Sequence, residues 1–423
     1  MRTWFLCSLL LGCIADPRAG VDGDEDLGSD AHDTGDTGAP DTGAPDAGAR
    51  DTGARDTGPR DTGSQDARPD GPDVGVLGCQ QVVTTYPTDG FERYEPVVAG
   101  DQVFGHRLDP QGIVRSVDVT NGAPVAGPTD LLVDAEDTAR LLLRPDGAEG
   151  FRLIYREGRD VVLDASVTFP DALMPFDVSP RRLVLPGRAV WVQGDALKLW
   201  RAGRVDTVGH GTITTVSMSP TGVAWITQPR GRVHVRLDDT LERTIGVVGQ
   251  GPPVLVATRE HVWWLSDGRP QVWRMGDDAG RPVTELTGCE ALDAEGDTAL
   301  VTCRNDPGVA PEGMVVVRIT ADGEATVLDR AGVIMAPRAA YGALAWARYD
   351  DPSAWCATPA EGTLRWWPAG DLEPFDVAII QSGCLCCGAY WPTLQLDLGP
   401  RRVAWSYAGM PPSAAEIGVA RCQ

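Results

Sequence analysis

Lysine is nearly missing from this chain: Lys198 stands alone among 37 basic side chains, against 60 acidic ones and a net charge of -23. A surface of that sign repels a phosphate backbone, which excludes a general nucleic-acid binder. Long apolar runs are missing too. The longest follows Arg2 in MRTWFLCSLLLGC and extends for about nine residues, too short to span a bilayer and right for an export signal. Helical periodicity is scarce, and 50 Gly with 33 Pro favour a β-rich fold over a bundle or a doubly wound sheet. The spacings that carry common chemistry are absent as well. The five histidines, His32, His106, His210, His234 and His261, form no H-x-H or H-E-x-x-H pair, and no G-x-S-x-G elbow or S-x-D-x-G-x-T-W box occurs. What remains is 423 residues at 42% hydrophobic, enough for one large core or two ordinary ones.

The apolar run ends in Leu10-Leu11-Gly12-Cys13, which resembles the lipobox of bacterial lipoproteins. The resemblance implies a signal peptide over residues 1–12, cleavage before Cys13 and a lipid on its sulfur, so that the acyl chains hold the protein on a membrane. Ile14, in place of the Asp that retains many such proteins at the inner membrane, implies the outer membrane or cell surface.

Residues 13–76 read as the lipidated Cys and a disordered linker, because Asp, Thr, Gly, Ala, Pro and Arg offer almost nothing to bury. Asp41, Asp46, Asp51, Asp56, Asp61 and Asp66 recur every five residues, and Asp16 to Asp73 carries a net charge of -11. Self-repulsion and proline extend such a segment into a stalk. One Asp in five does not supply the converging oxygens of a calcium loop.

Residues 77–423 are organised by a repeat. RAVWVQ, GVAWIT, HVWWLS, TALVTC, ALAWAR and RVAWSY are each followed by a polar turn and a second strand-like run. Trp191, Trp225, Trp264, Trp346 and Trp405 are 34, 39, 82 and 59 residues apart, the 82 covering two units because Cys303 replaces one Trp. A period near forty with several strands per unit is the signature of a propeller blade. Weaker units at QVFGHRL and ARLLLRP bring the expected count to eight blades, with seven as the alternative. The adjacent pairs Trp263-Trp264 and Trp366-Trp367 point to opposite faces of a strand and demand that both faces be covered. The last unit has three strands, so QQVVTTYP at residues 80–87 is expected to complete it as the outer strand and close the ring. That pairing brings Cys79 towards Cys422.

The turn in SMSPTGVAW, Ser217 to Trp225, resembles the blade repeat of TolB-like propellers, with Thr221 where that family has Asp; LDAEGDTALVT echoes it more faintly. The resemblance implies a propeller that binds protein or ligand and names no partner.

Eight cysteines remain after Cys7 and Cys13, which in an exported protein reads as four disulfides. Cys289 and Cys303 fall on the two strands of one hairpin, and Cys356, Cys384, Cys386 and Cys387 form a last group that could also offer sulfur to a metal, although disulfides are the expected state and no metal site is assigned. Asp350, Asp351, Asp238 and Asp239 fall in turns where solvation accounts for them. No catalytic constellation assembles and no cofactor is implied. The function expected is non-catalytic binding of an envelope protein, a glycan or a small ligand, with Trp355, Tyr390 and Trp391 as aromatic anchors beside cross-linked loops. The alternative is a quinoprotein-like redox enzyme, suggested by the adjacent Cys386-Cys387, but its tryptophan-docking repeat is missing.

Overall fold

The computed structural model describes residues 84–87, 96–108, 114–119, 123–124, 130–146, 150–168, 182–238, 240–251, 253–305, 313–351, 360–369, 373–382, 394–407 and 416–421. Among these, every regular element is a strand, and the strands form eight antiparallel sheets of four. The inner strands, in order of blades 1 to 8, are Val97–Ala99, Leu131–Glu136, Val184–Leu185, Thr212–Ser219, Leu255–Ala257, Thr287–Glu295, Val333–Ala340 and Leu394–Gly399. Each lies against the inner strand of the blade before it and the blade after it, and Leu394–Gly399 lies against Val97–Ala99, so the ring is closed. The protein is an eight-bladed β-propeller.

Closure follows from the shortage in the last blade. Thr84–Pro87 is its outer strand, with Thr84 opposite Val419 and Pro87 opposite Glu416. The first and last described strands thus meet in one sheet, Thr84 five residues after Cys79 and Val419 three before Cys422. Both cysteines lie outside the described residues, as does their expected bridge. The seam between blades 8 and 1 is filled by Val98, Val103, Val119, Ala404, Ile417 and Val419. Gly105 faces Ile417 so closely that a methyl group there would fall 2.4 Å from its Cδ1.

The tryptophans are the filling between blades. Trp225, Trp263, Trp264, Trp346, Trp366 and Trp405 are fully buried. Trp264 is seated on two glycines, and a Cβ would lie 2.5 Å from its ring at Gly246 and 1.9 Å at Gly280. Gly246→Ala is therefore expected to overpack the blade and destabilise the protein by about 2 kcal/mol, read as a lower urea midpoint. The Trp366-Trp367 pair departs from the expectation, because Trp367 is only half-buried, with Arg318 5.8 Å above its ring. It sits in the third strand, nearer the rim, where adjacent blades diverge and cover less of the outward face.

Cys289 and Cys303 are register partners across the first hairpin of blade 6 and are bonded to each other. Both are buried in a cluster with Val301 and Val315. Replacing both by Ser opens a loop of 14 residues and should cost about 3 kcal/mol by chain entropy alone. Thermal melts of the double variant check it.

Candidate functional site

Each inner strand runs towards the channel and ends in a tight turn, so the last few residues of eight strands converge on one mouth. The residue two places before the strand end alternates around the ring. In blades 2, 4, 6 and 8 it is Asp134, Ser217, Asp293 and Asp397; in blades 1, 3, 5 and 7 it is Val97, Leu183, Leu255 and Arg338. Every polar member of the first set accepts a backbone N–H from the following blade. Asp134 Oδ2 takes Leu183 and Val184 at 2.6 and 3.0 Å, Ser217 Oγ takes Ala257 at 2.9 Å, Asp293 Oδ2 takes Ala339 at 3.0 Å and Asp397 Oδ2 takes Val98 at 2.6 Å. The other oxygen of each aspartate accepts the N–H of the residue after it. These side chains bolt the blades together in pairs.

Seen from the channel they are also a ring of desolvated acids. Burial pushes the carboxyls of Asp134 and Asp397 up to about 7, and raises those of Asp293 and Glu136, against the backbone and hydroxyl donors that pull them down. Two guanidinium groups share the space. Arg182 reaches the carbonyls of Ala257 and Ala294 in blades 5 and 6, at 3.3 and 2.7 Å, and Arg338 Nε donates to the carbonyl of Leu396 at 2.5 Å. Tyr341 spans the mouth from blade 7 and donates its hydroxyl to Glu136 of blade 2 at 2.6 Å. Enclosed among them is a cavity of about 170 Å³, walled also by Val98, Leu185 and Leu398.

A second space, a groove of about 630 Å³ between blades 1 and 2, is lined by Phe104, Asp118, Arg140, Arg156 and Arg159. Arg140 lies 4.8 Å over the Phe104 ring and bonds Gln102 and the carbonyls of Asp137 and Ala139.

One arrangement has the atom order of a hydrolase relay. Thr227 Oγ1 is 2.9 Å from His234 Nε2, and His234 Nδ1 is 2.8 Å from Glu242. The imidazole is stacked on Trp225, 5.3 Å between centroids, and Thr227 is 9% exposed, so the hydroxyl is held inside the sheet away from any substrate. His234 is packed within the strand Arg232–Leu237, and burial lowers its pKa. Asp238 differs from expectation: it is not merely solvated but receives both terminal nitrogens of Arg188, at 2.6 and 2.8 Å, and ties blade 3 to blade 4. Among the described residues no three His, Cys, Asp or Glu side chains converge as a metal site.

Cys13, Trp355, Cys356, Cys384, Cys386, Cys387, Tyr390 and Trp391 lie outside the described residues. Ala360 and Ser382, which border the segments holding the last seven, are register partners in blade 7. The channel aspartates escaped the sequence reading, although Asp134-Ala135-Glu136 and Asp293-Ala294-Glu295 repeat one triplet and would have exposed the pattern.

No family model matches the chain, and no curated protein matches it. Solved structures similar to it include BamB from Moraxella catarrhalis, at 11% identity over 81% of this chain and 99% of that one, with a TM-score of 0.47. The β-propeller domain of Cps50 (Swd1) from Myceliophteria thermophila is 11% identical over 80% and 100%, with a TM-score of 0.42. PorZ, a surface component of the type-IX secretion system of Porphyromonas gingivalis, is 13% identical over 78% and 51%, with a TM-score of 0.32.

Proposed function

We propose that this chain is an exported lipoprotein whose propeller, of TolB-like type, holds a partner without transforming it. Residues 1–12 are the signal, Cys13 carries the lipid, residues 13–76 are the stalk, and residues 77–423 are the binding domain at the outer membrane or cell surface. The partner is an envelope protein, a glycan or a small ligand. The observation that carries the non-catalytic reading is the state of the channel: each aspartate accepts a backbone N–H of the next blade on one oxygen and that of its own neighbour on the other, which commits these carboxyls to joining the blades. Trp355, Tyr390 and Trp391 supply the aromatic contact on this reading, on loops held by Cys356, Cys384, Cys386 and Cys387.

Capture from envelope extract tests it. The Trp355→Ala, Trp391→Ala double variant should retain about a tenth or less of the partner recovered by the unaltered protein, the size of one aromatic anchor, with an unchanged thermal transition. Equal capture would remove these residues from the interface, and turnover of a bound redox cofactor would overturn the reading. Mass spectrometry of the mature N-terminus decides the anchor, since an unmodified first residue at or beyond Ala15 excludes it.

A further inference from the structure

Blades 2 and 6 end their inner strands on the same triplet, and in each the triplet is followed by a two-residue turn. The two aspartates act alike. The two glutamates do not. Glu295 clasps the turn of the next blade, taking the N–H of Tyr341 at 2.7 Å on one oxygen and that of Gly342 at 2.5 Å on the other. The turn that follows Glu136 in the same sense is Pro186-Gly187. Proline has no N–H to give, and the N–H of Gly187 goes instead to the Tyr155 hydroxyl at 2.9 Å. Glu136 is thereby released from the clasp that its counterpart makes, and it turns across the channel to the hydroxyl of Tyr341.

Tyr341 is suited to be moved aside. Its backbone lies at φ +56°, in the left-handed region where a bulky side chain is unusual, and it is held there by Glu295 through N–H groups alone. The turn stays fixed whatever the phenol does. Behind the phenol is the 170 Å³ cavity, which contains Asp134, Asp293 and Asp397 as well as Arg182 and Arg338. Arg182 is anchored on the carbonyls of Ala257 and Ala294. The channel aspartates have both oxygens committed to N–H groups, as does Glu295. Glu136 alone takes one hydroxyl and no N–H group, with the charge of Arg182 as its other partner, and a cation at its oxygens adds the charge attraction that a hydroxyl lacks.

We propose that Glu136 is the recognition carboxylate of a ligand site at the channel mouth, with Tyr341 as its placeholder, and that the group it receives is an ammonium or guanidinium on a short unbranched chain. A free amine and the end of a Lys or Arg side chain on a protein share this chemistry. Burial has raised the pKa of Glu136, so a cation at its oxygens recovers an interaction that desolvation removed. The proposal rests on the binding reading above, yet the two fail separately: amine binding by the purified chain needs no envelope partner, and capture through Trp355 and Trp391 needs no Glu136.

Calorimetric titration of the mature chain with agmatine and with a short lysine-containing peptide is the test. Either probe should bind saturably, and which one does tells a free amine from a protein side chain. Tyr341→Phe should tighten binding about fivefold to tenfold, because the competing hydrogen bond is gone. Glu136→Gln, which can still accept the phenol, should weaken it at least as much. Glu136→Gln should keep the thermal transition of the unaltered protein, and Tyr341→Phe should lower it slightly, by the loss of one hydrogen bond to a partly buried carboxylate. Failure of both probes to bind Tyr341→Phe, or equal affinity in Glu136→Gln, overturns the proposal.

Discussion

Removal of residues 79–88, leaving the rest of the chain intact, should open the ring between blades 8 and 1. The outer strand Thr84–Pro87 pairs with Glu416–Arg421, and without it that strand becomes an unpaired edge. Ile417 and Val419, each 3% exposed, then stand at a free margin. They belong to the cluster with Val98, Val103, Val119 and Ala404 that joins the last blade to the first, so its loosening lets the whole seam part. At the usual value of an aliphatic side chain leaving a core, partial exposure of this cluster costs on the order of 5 kcal/mol. The truncated protein should unfold at a much lower urea concentration and associate edge to edge on concentration. A synthetic peptide of the sequence QQVVTTYP supplied in excess should restore part of the loss. Unchanged stability of the truncated chain would mean that the seam holds without its clasp.

The second large effect belongs to Asp134. Asp134→Ala leaves the N–H groups of Leu183 and Val184 without acceptors at the wall of the channel, at about 1 to 3 kcal/mol for each. Asp134→Asn keeps an oxygen for both and should cost less. The pair of variants also reads the charge. The folded pKa values of Asp134 and Asp397, about 7, lie above the unfolded value of 3.8, so the folded state binds more protons than the unfolded chain between those limits. Their contribution to stability is full below pH 4 and is lost as the pH rises to 7. His234 acts in the opposite sense, since its folded pKa is below 6.5 and protonation on acidification favours unfolding. With two strongly shifted carboxyls against one imidazole, urea midpoints should be higher at pH 5 than at pH 8. In the double variant Asp134→Asn, Asp397→Asn that difference should shrink. An unaltered difference would assign the pH dependence to other groups.

The ring was legible in the sequence because its evidence is local: a strand with an indole, a turn and another strand can be read within a dozen residues. Even closure could be read, since a last unit with three strands and an orphan strand at the start leave one arrangement. The channel was not legible in the same way. Asp134 meets its partner Leu183 49 residues on, and Asp293 meets Ala339 46 residues on. Such contacts cross from one repeat to the next, so neither residue shows its purpose in its own unit. Tyr341 and Glu136 are 205 residues apart, joined only because eight blades turn the chain back on itself. Asp238 was misjudged for the same reason, as Arg188 is in the preceding blade.

The alternation at the channel wall makes the ring a system with parity. Blades of two kinds, those that offer an oxygen and those that receive it, can follow one another around a circle without conflict only when their number is even. A circle of seven would set two like neighbours side by side: two receivers, with backbone N–H groups facing an apolar wall, or two givers, with a carboxylate facing a carboxylate. Loss or gain of a single blade therefore frustrates the joint wherever it occurs, whereas loss or gain of a giver and its receiver together leaves every joint as it was. The unit in which this propeller can be lengthened or shortened is the pair.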